Sequence, residues 1–509
     1  MKNSRTQNAF LTFLTAILTK IVQYGIGFFV TPALITFLGS TYFGIWQMMN
    51  QFINYISFVD IRPTNALKYV LASKQFIDDN SYKRRQVGAS LLTWLYTLPV
   101  LLFAGSILIY FLPMITKVTN NDYSVIRIVG CLLIVDYVFG NLAAMSISIL
   151  RGENLGYKGV IFGSFITFIF GLITILVVQH GFGLVGLGLV TISQSGVTGL
   201  LYFFVVKKNV QWLGVEKPSR DETHGLFRFA TWILLSSFSG ILLFSTEIVI
   251  VGWRLGANFV TVYVITKTVV ELINNFVFSL VSSSLAGLGD LFGRSEFNRL
   301  REVRANIQLF TFYCISVIGT LVISLNRSFI GLWVGNQQYA GNIVNLILVI
   351  AAFEPLLNQQ DSLIIDLTQN IKTKIIITFL SGMVVVTSGV LLTPSLGIFG
   401  MSISSLLGRF SYFIGLSILC TKKINESPRI YFQRLIRPTL ICIVLYVFAF
   451  IFSNRIVLNS WFHFILIALF LGISVAFIAW WCELNNKHRK NIVQYFYFLP
   501  AQIRHFLAR

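Results

Sequence analysis

Charge is what this chain has least of: Asp, Glu, Lys and Arg make up 11% of its 509 residues, against roughly 25% in an average soluble protein. A water-soluble chain is excluded on that ground. Histidine and cysteine are also sparse, at five each, and no HExxH, G-x-S-x-G, Walker A or paired-cysteine motif occurs. With no such motif, neither a cofactor nor an enzymatic activity is expected. The cysteines, Cys131, Cys314, Cys420, Cys442 and Cys482, all fall in apolar runs and are expected as small core residues. Acidic residues are half as common as basic ones, 19 against 39, for a net charge of +20. Such an excess serves either nucleic acid or the cytoplasmic side of a membrane.

Apolar sequence is abundant, with 55% hydrophobic residues and a mean hydropathy of +0.76. A helix needs about 20 apolar residues to cross the hydrocarbon core, and the runs predict fourteen spans. These lie near residues 9–38, 42–62, 86–113, 123–150, 157–180, 182–206, 228–253, 258–290, 304–327, 341–368, 373–393, 397–420, 437–454 and 460–482. The runs are continuous rather than alternating, so an all-α polytopic membrane protein is expected, not a barrel. The first run is longer than a signal segment and carries Lys20, which predicts an uncleaved span.

Position along the chain explains the charge. Thirty of the Lys and Arg residues fall in one alternating set of loops and termini, among them Lys83, Arg84, Arg85, Arg301, Arg304, Arg434 and Arg437. The opposite set holds Lys117, Arg254, Arg327 and Arg455 alone. Basic loops stay in the cytoplasm, so both termini are expected there and nucleic acid is not expected as a partner. The inter-span segments are short, which leaves no room for an extramembrane domain.

Four landmarks recur in order. Leu38-Gly39 with Tyr42 returns as Leu255-Gly256 with Phe259, Gly183 and Gly186 return as Gly397 and Gly400, Asn154 as Asn370, and Lys158 as Lys374. The shared offset predicts two six-helix repeats in parallel orientation. The halves are placed at 1–206 and 228–420 around a cytoplasmic linker at 207–227, with an additional helix pair at 421–482 and a tail at 483–509. The tail mixes basic and aromatic residues and reads either as an interfacial segment or as a solvated one. Glycines cluster at 181–189 and at Gly397, Gly400 and Gly408, either for close helix contact or for surfaces along which the halves rock.

Ionisable residues inside spans are the main functional signal, because a charge in the bilayer costs several kcal/mol unless it meets water or a partner. The cations are Lys20, Arg127, Lys267 and Arg409. Lys20 lies deep in span one; Arg127 and Arg409 are nearer span ends, where they either snorkel or bind. Lys267 and Glu271 share a helix face and either neutralise each other or act on a substrate. The acids Asp60, Asp136, Glu247, Glu271, Glu354, Asp361 and Asp366 are candidates for coupling to a proton or sodium ion. Span ten is the most polar, and its Glu354-Pro355 step is expected either to kink the helix or to free a carbonyl for a cation.

The phrase ITFLGSTYFGIW (35–46), with Pro32 upstream, resembles the first-hairpin signature of the polysaccharide exporters of the multidrug/oligosaccharidyl-lipid/polysaccharide (MOP) superfamily. ISILRGENLGYKG (147–159), STEIVIVGWRLGANFVTVY (245–263) and LGIFGMSISSL (396–406) are similar to further phrases of that family, and the resemblance covers essentially the whole chain. It departs at 60–63, where Asp60 and Pro63 flank Arg62 in place of Asp-Leu-Gly, and Glu247 stands where relatives usually carry aspartate. The resemblance implies a MATE-like fold that flips polyprenyl-diphosphate-linked oligosaccharide across a bacterial inner membrane by alternating access, for lipopolysaccharide O-antigen, capsule or a related glycan. By their depth and charge, Lys20, Arg127, Lys267 and Arg409 are the expected substrate contacts for such a head group, and membrane lipids, a polysaccharide polymerase and a chain-length regulator are expected as partners. Two other readings stay open: a MATE-type multidrug or metabolite antiporter, for which twelve spans would be usual, and a membrane glycosyltransferase, which would need an outer loop this chain lacks.

Overall fold

The computed structural model describes residues 2–56, 63–73, 79–118, 120–282, 284–368, 371–483 and 489. Its α-helices are α1 (Lys2–Leu38), α2 (Ser40–Ile56), α3 (Pro63–Ser73), α4 (Asn80–Thr116), α5 (Tyr123–Gly152), α6 (Tyr157–Gln179), α7 (Gly183–Asn209), α8 (Arg220–Phe244), α9 (Thr246–Leu255), α10 (Ala257–Ser282), α11 (Leu285–Gly293), α12 (Phe297–Trp333), α13 (Asn342–Leu357), α14 (Gln359–Leu367), α15 (Lys372–Lys423), α16 (Pro428–Arg455) and α17 (Trp461–Glu483). No strand occurs among the described residues. Twelve helices among them are long and apolar enough to cross a membrane, so the fold is that of an all-α, multi-pass membrane protein.

The twelve fall on thirteen of the fourteen expected spans, since spans eleven and twelve share one helix, while span two corresponds to α2, whose 17 described residues are too few. Span seven is α8 and α9, interrupted at Ser245, and span ten is α13 and α14, interrupted at Asn358. Spans eleven and twelve form α15, whose 52 residues would reach about 78 Å if straight, far beyond the roughly 30 Å hydrocarbon core. The chain instead turns at Gly397, where φ is 61°, a left-handed value that glycine adopts without a steric penalty. Beyond the turn the arms run back along each other. Gly400 abuts the Leu392 carbonyl, Gly408 abuts Ser381 and Val385, Gly415 abuts Ile377, and Ser411 Oγ donates to Ser381 Oγ at 3.0 Å. The first repeat makes the same hairpin from α6 and α7, with Gly183 at φ 57° and Gly186 packed on Val177. The matched pair Gly39 and Gly256 is left-handed too, at 83° and 104°. Asn370, the partner of Asn154, lies outside the described residues.

Contacts divide the chain into two compact units, Met1–Thr261 and Val262–Arg509. In the first, α1 packs on α6, α5 on α3 and α7, α8 on α3 and α4, and α9 on α2; Leu67, Leu71, Leu150, Tyr202 and Val206 form a core. In the second, α12 packs on α13, α16 and α17, and α13 on α15, around Val270, Ile323, Val349, Phe353 and Leu445. The outer helix faces carry large apolar residues, such as Val444 at 68% and Phe470 at 69% exposure, as surfaces solvated by lipid do. The same physics corrects the cysteine expectation. Cys420 and Cys442 are buried but Cys131 and Cys482 are exposed, because an apolar run in a bilayer has a lipid face as well as a core face. The tail beyond Glu483 lies outside the described residues except for Arg489.

Candidate functional site

A buried polar seam runs through the second unit, and a proline starts it. Pro355 in α13 has no N–H to return to the carbonyl four residues back, which is that of Ala351. Arg409 Nη1, on the second arm of α15, donates to this Ala351 oxygen at 3.2 Å. The cation that takes the freed carbonyl is thus the chain's own guanidinium, buried at 4% exposure. Glu354, next to the proline, is electrostatically coupled to Arg409. Among the described residues its Oε2 is buried without a hydrogen-bond partner.

Glu354 in α13, Asn358 at the break and Asp361 in α14 follow at i, i+4 and i+7. Asn358 breaks the span, donating to the Phe413 carbonyl at 3.1 Å and accepting from Ser417 Oγ at 2.9 Å. Tyr431 joins the seam, its hydroxyl 3.1 Å from Ser417 Oγ and 2.6 Å from the donating Gln308 Nε2. At the far end Arg304 grips Asp361 with Nε at 2.7 Å and Nη2 at 2.6 Å. Its Nη1 donates to Glu426 at 2.7 Å, and Glu426 also pairs with Arg434 at 3.1 Å. Arg304 and Asp361 are 1% and 0% exposed, and the guanidinium lies 4.2 Å from the Tyr431 ring. Both Asp361 oxygens are therefore occupied, whereas Glu354 keeps one open.

Sequence reasoning counted Arg304 as a loop charge; the structure buries it inside α12. The signal was present in Arg304 and Gln308, two polar side chains four apart once the helix is extended back to Phe297. Lys83 was missed in the same way. It is 5% exposed, pairs with Glu153 at 2.9 Å and lies over the Trp212 ring. Nearby, Arg84 Nη1 is 3.3 Å from Glu216. A hydrogen bond from Ser81 and then the Arg84 guanidinium hold the Glu216 carboxyl below the usual carboxylate range.

The remaining candidates separate by environment. In the second unit Lys267 pairs with Glu271 at 2.8 Å, its own side chain 7% exposed and its partner's 53%. In the first unit Lys20 is exposed on α1, reaching Gln23 at 3.4 Å and the Tyr24 ring. Arg127 is exposed in the first turns of α5, over the rings of Tyr110 and Tyr123. Asp136 on α5 hydrogen-bonds with Ser195 on α7, and its Oδ1 has no hydrogen-bond partner among the described residues. Glu247, fully buried, stands in the first turn of α9, where the helix dipole favours a carboxylate. Asp366 pairs with Lys374 at 2.6 Å, and Asp60 lies outside the described residues. Among the described residues no group of three His, Cys, Asp or Glu side chains is placed to hold a metal ion.

No protein-family model and no curated protein matches the chain, but solved structures do. The lipid II flippase MurJ, in an inward closed conformation, aligns over 92% of this chain and 98% of its own with a TM-score of 0.70 at 13% identity. An inward-facing MATE family multidrug transporter of the MOP superfamily covers 80% of this chain and 98% of its own, with a TM-score of 0.59 at 15% identity. A variant of the Vibrio cholerae MATE transporter VcmN covers 84% and 99%, with a TM-score of 0.56 at 14% identity. The fold is the one shared by this flippase and these transporters.

Proposed function

We propose that the chain is a flippase that moves polyprenyl-diphosphate-linked oligosaccharide across a bacterial inner membrane by alternating access, for O-antigen, capsule or a related surface glycan. The observation that carries this reading is the extent of the match to the lipid II flippase. Helices α16 and α17 occupy residues 428–483, so an alignment over 92% of the chain has to include part of them. The 80% and 84% alignments with MATE transporters leave room to omit the pair altogether.

The chemistry agrees. A diphosphate head group cannot enter hydrocarbon unaided, and cations held in low dielectric recognise it strongly. Lys267 and Arg409 are buried cations of that kind, and Lys20 and Arg127 are exposed ones on their helices. Among the acids, Glu354 has the geometry for coupling to a proton or sodium gradient, since its open oxygen faces a seam whose other carboxylates, Asp361 and Glu426, are already paired with arginine.

The test is complementation of a strain lacking its lipid-linked oligosaccharide flippase, scoring surface glycan and accumulated intermediate. Restored glycan with the wild-type chain, and loss with Arg409→Ala at matched membrane levels, supports the reading. Failure of the wild type across several glycan types, together with drug extrusion from loaded cells, transfers the assignment to the antiporter class.

A further inference from the structure

Where α12 and α16 begin and α17 ends, a cavity of about 430 Å³ is lined by Arg301, Asn306, Arg434, Arg437 and Glu483, among others. It lies at the basic-loop side of these helices. Glu483 is only 4% exposed. Its Oε1 accepts from Ser316, but among the described residues Oε2 has no partner, and neither does Asn306 Oδ1. Two buried acceptors without donors cost free energy unless something supplies the N–H groups. Three arginines, Arg301, Arg434 and Arg437, against the carboxyls of Glu302 and Glu483 leave the same wall with an excess of positive charge that suits an anion. Arg434 leans on Glu426 at 3.1 Å, and Arg437 Nη2 holds the Cys482 carbonyl at 2.8 Å.

Arg437 also lines an open surface groove of about 690 Å³ bounded by Ile436, Leu440, Ile441, Trp481 and Cys482. Ile436, Leu440 and Trp481 are each more than half exposed. A polar cavity that wants both an anion and an N–H donor, joined through one arginine to an apolar groove, has the outline of a zwitterionic lipid.

We infer that this cavity is a binding site for a phospholipid whose head group carries a phosphate and a primary ammonium. The phosphate lies against Arg434 and Arg437, the ammonium donates to Glu483 Oε2 and Asn306 Oδ1, and an acyl chain follows the groove beside Leu440 and Trp481. A choline head group has no N–H to give and leaves both acceptors unpaired.

The inference does not depend on what the protein transports, because the experiment reads lipid retention. Full-length protein, delipidated in detergent, is titrated with phosphatidylethanolamine, phosphatidylcholine and phosphatidylglycerol and observed by native mass spectrometry. The expected result is one retained phosphatidylethanolamine per chain with at least about tenfold preference over phosphatidylcholine, the size of a charged hydrogen-bond pair. Glu483→Gln should erase that preference while phosphatidylglycerol still binds, and Arg437→Gln should weaken all three lipids. Equal retention of the three lipids by the wild type overturns the proposal, as does an unchanged preference in Glu483→Gln. Displacement of the lipid by millimolar inorganic phosphate overturns it in favour of a soluble anion. Should Glu483→Gln fail to fold, Asn306→Leu and the wild-type lipid series decide the matter alone.

Discussion

Arg84 and Arg301 make the same contact one repeat apart. Arg84 Nε donates to the Trp212 carbonyl at 2.8 Å, and Arg301 Nε donates to the Ile424 carbonyl at 3.0 Å. Each arginine sits near the start of a long helix, α4 or α12, and each carbonyl lies just past the second arm of a hairpin. The duplication thus preserves a tie between a helix start and a hairpin end as well as the glycine turns. It is written into the side chains of both copies.

The hairpin of α15 makes a packing prediction. A Cβ on Gly408 would lie 2.1 Å from Val385 Cγ2 and 2.8 Å from the Ser381 carbonyl, while one on Gly240 would meet nothing within 4 Å. Gly408→Ala should cost on the order of 1–3 kcal/mol, and Gly240→Ala should be neutral or gain up to about 1 kcal/mol. Melting of the purified variants in detergent separates them, and equal melting temperatures would count against the hairpin.

Removing Arg304 should be more damaging. Arg304→Ala leaves Asp361 and Glu426 buried without their shared cation, a change that costs about 3–5 kcal/mol in such sites. Arg304→Ala combined with Asp361→Asn should recover part of that loss, since one stranded charge is gone. A double variant as unstable as the sum of the single ones would show that the two residues act independently.

Glu216 predicts a pH dependence on the acid side. Its carboxyl is held low by Ser81 and Arg84, so the folded state favours the carboxylate. The contribution is therefore present above the unfolded value, about 4.3, and disappears as pH falls through the lower folded value. Glu216→Gln should melt slightly below wild type at pH 7, with the two curves converging below about pH 4. A gap that stays constant across that range would rule out the carboxylate as its source.

Lys267 and Glu271 make a functional prediction. If the buried ammonium meets substrate phosphate, Lys267→Ala abolishes glycan export, whereas Glu271→Gln retains or raises it by releasing the cation. If the pair serves only to neutralise itself, the two variants are impaired to a similar degree. Surface glycan at matched expression distinguishes these outcomes.

Hydropathy made the spans legible, because lipid forces each crossing into a long apolar helix, and the recurring landmark residues pointed to the repeat. The landmark glycines 39, 183, 256 and 397 all adopt the left-handed backbone that a duplicated turn requires. Polar detail was legible only where it interrupted an apolar run. Glu354, Pro355, Asp361 and Arg409 stood out in that way, and all four belong to the seam. Arg304, Lys83 and Glu426 did not, since near a helix end a charge bound for a buried network looks the same as one bound for water. What distinguishes them is the partner across the bundle, more than fifty residues distant in each case, and for Arg304 the one local sign is Gln308, four residues on.

The contact boundary at Thr261 falls inside α10, well past the segment 207–227 expected as the linker. During synthesis, then, the first unit is not finished when the sixth crossing has been inserted. It waits for α8, α9 and the opening turn of α10, where Thr261 Oγ1 donates to the Ser40 carbonyl at 2.5 Å and Ala257 packs on Gly44. A nascent chain halted at the linker would carry α3 and α4 with bare faces into the bilayer, so a cell that makes this protein has to shelter an incomplete half until the next helices arrive.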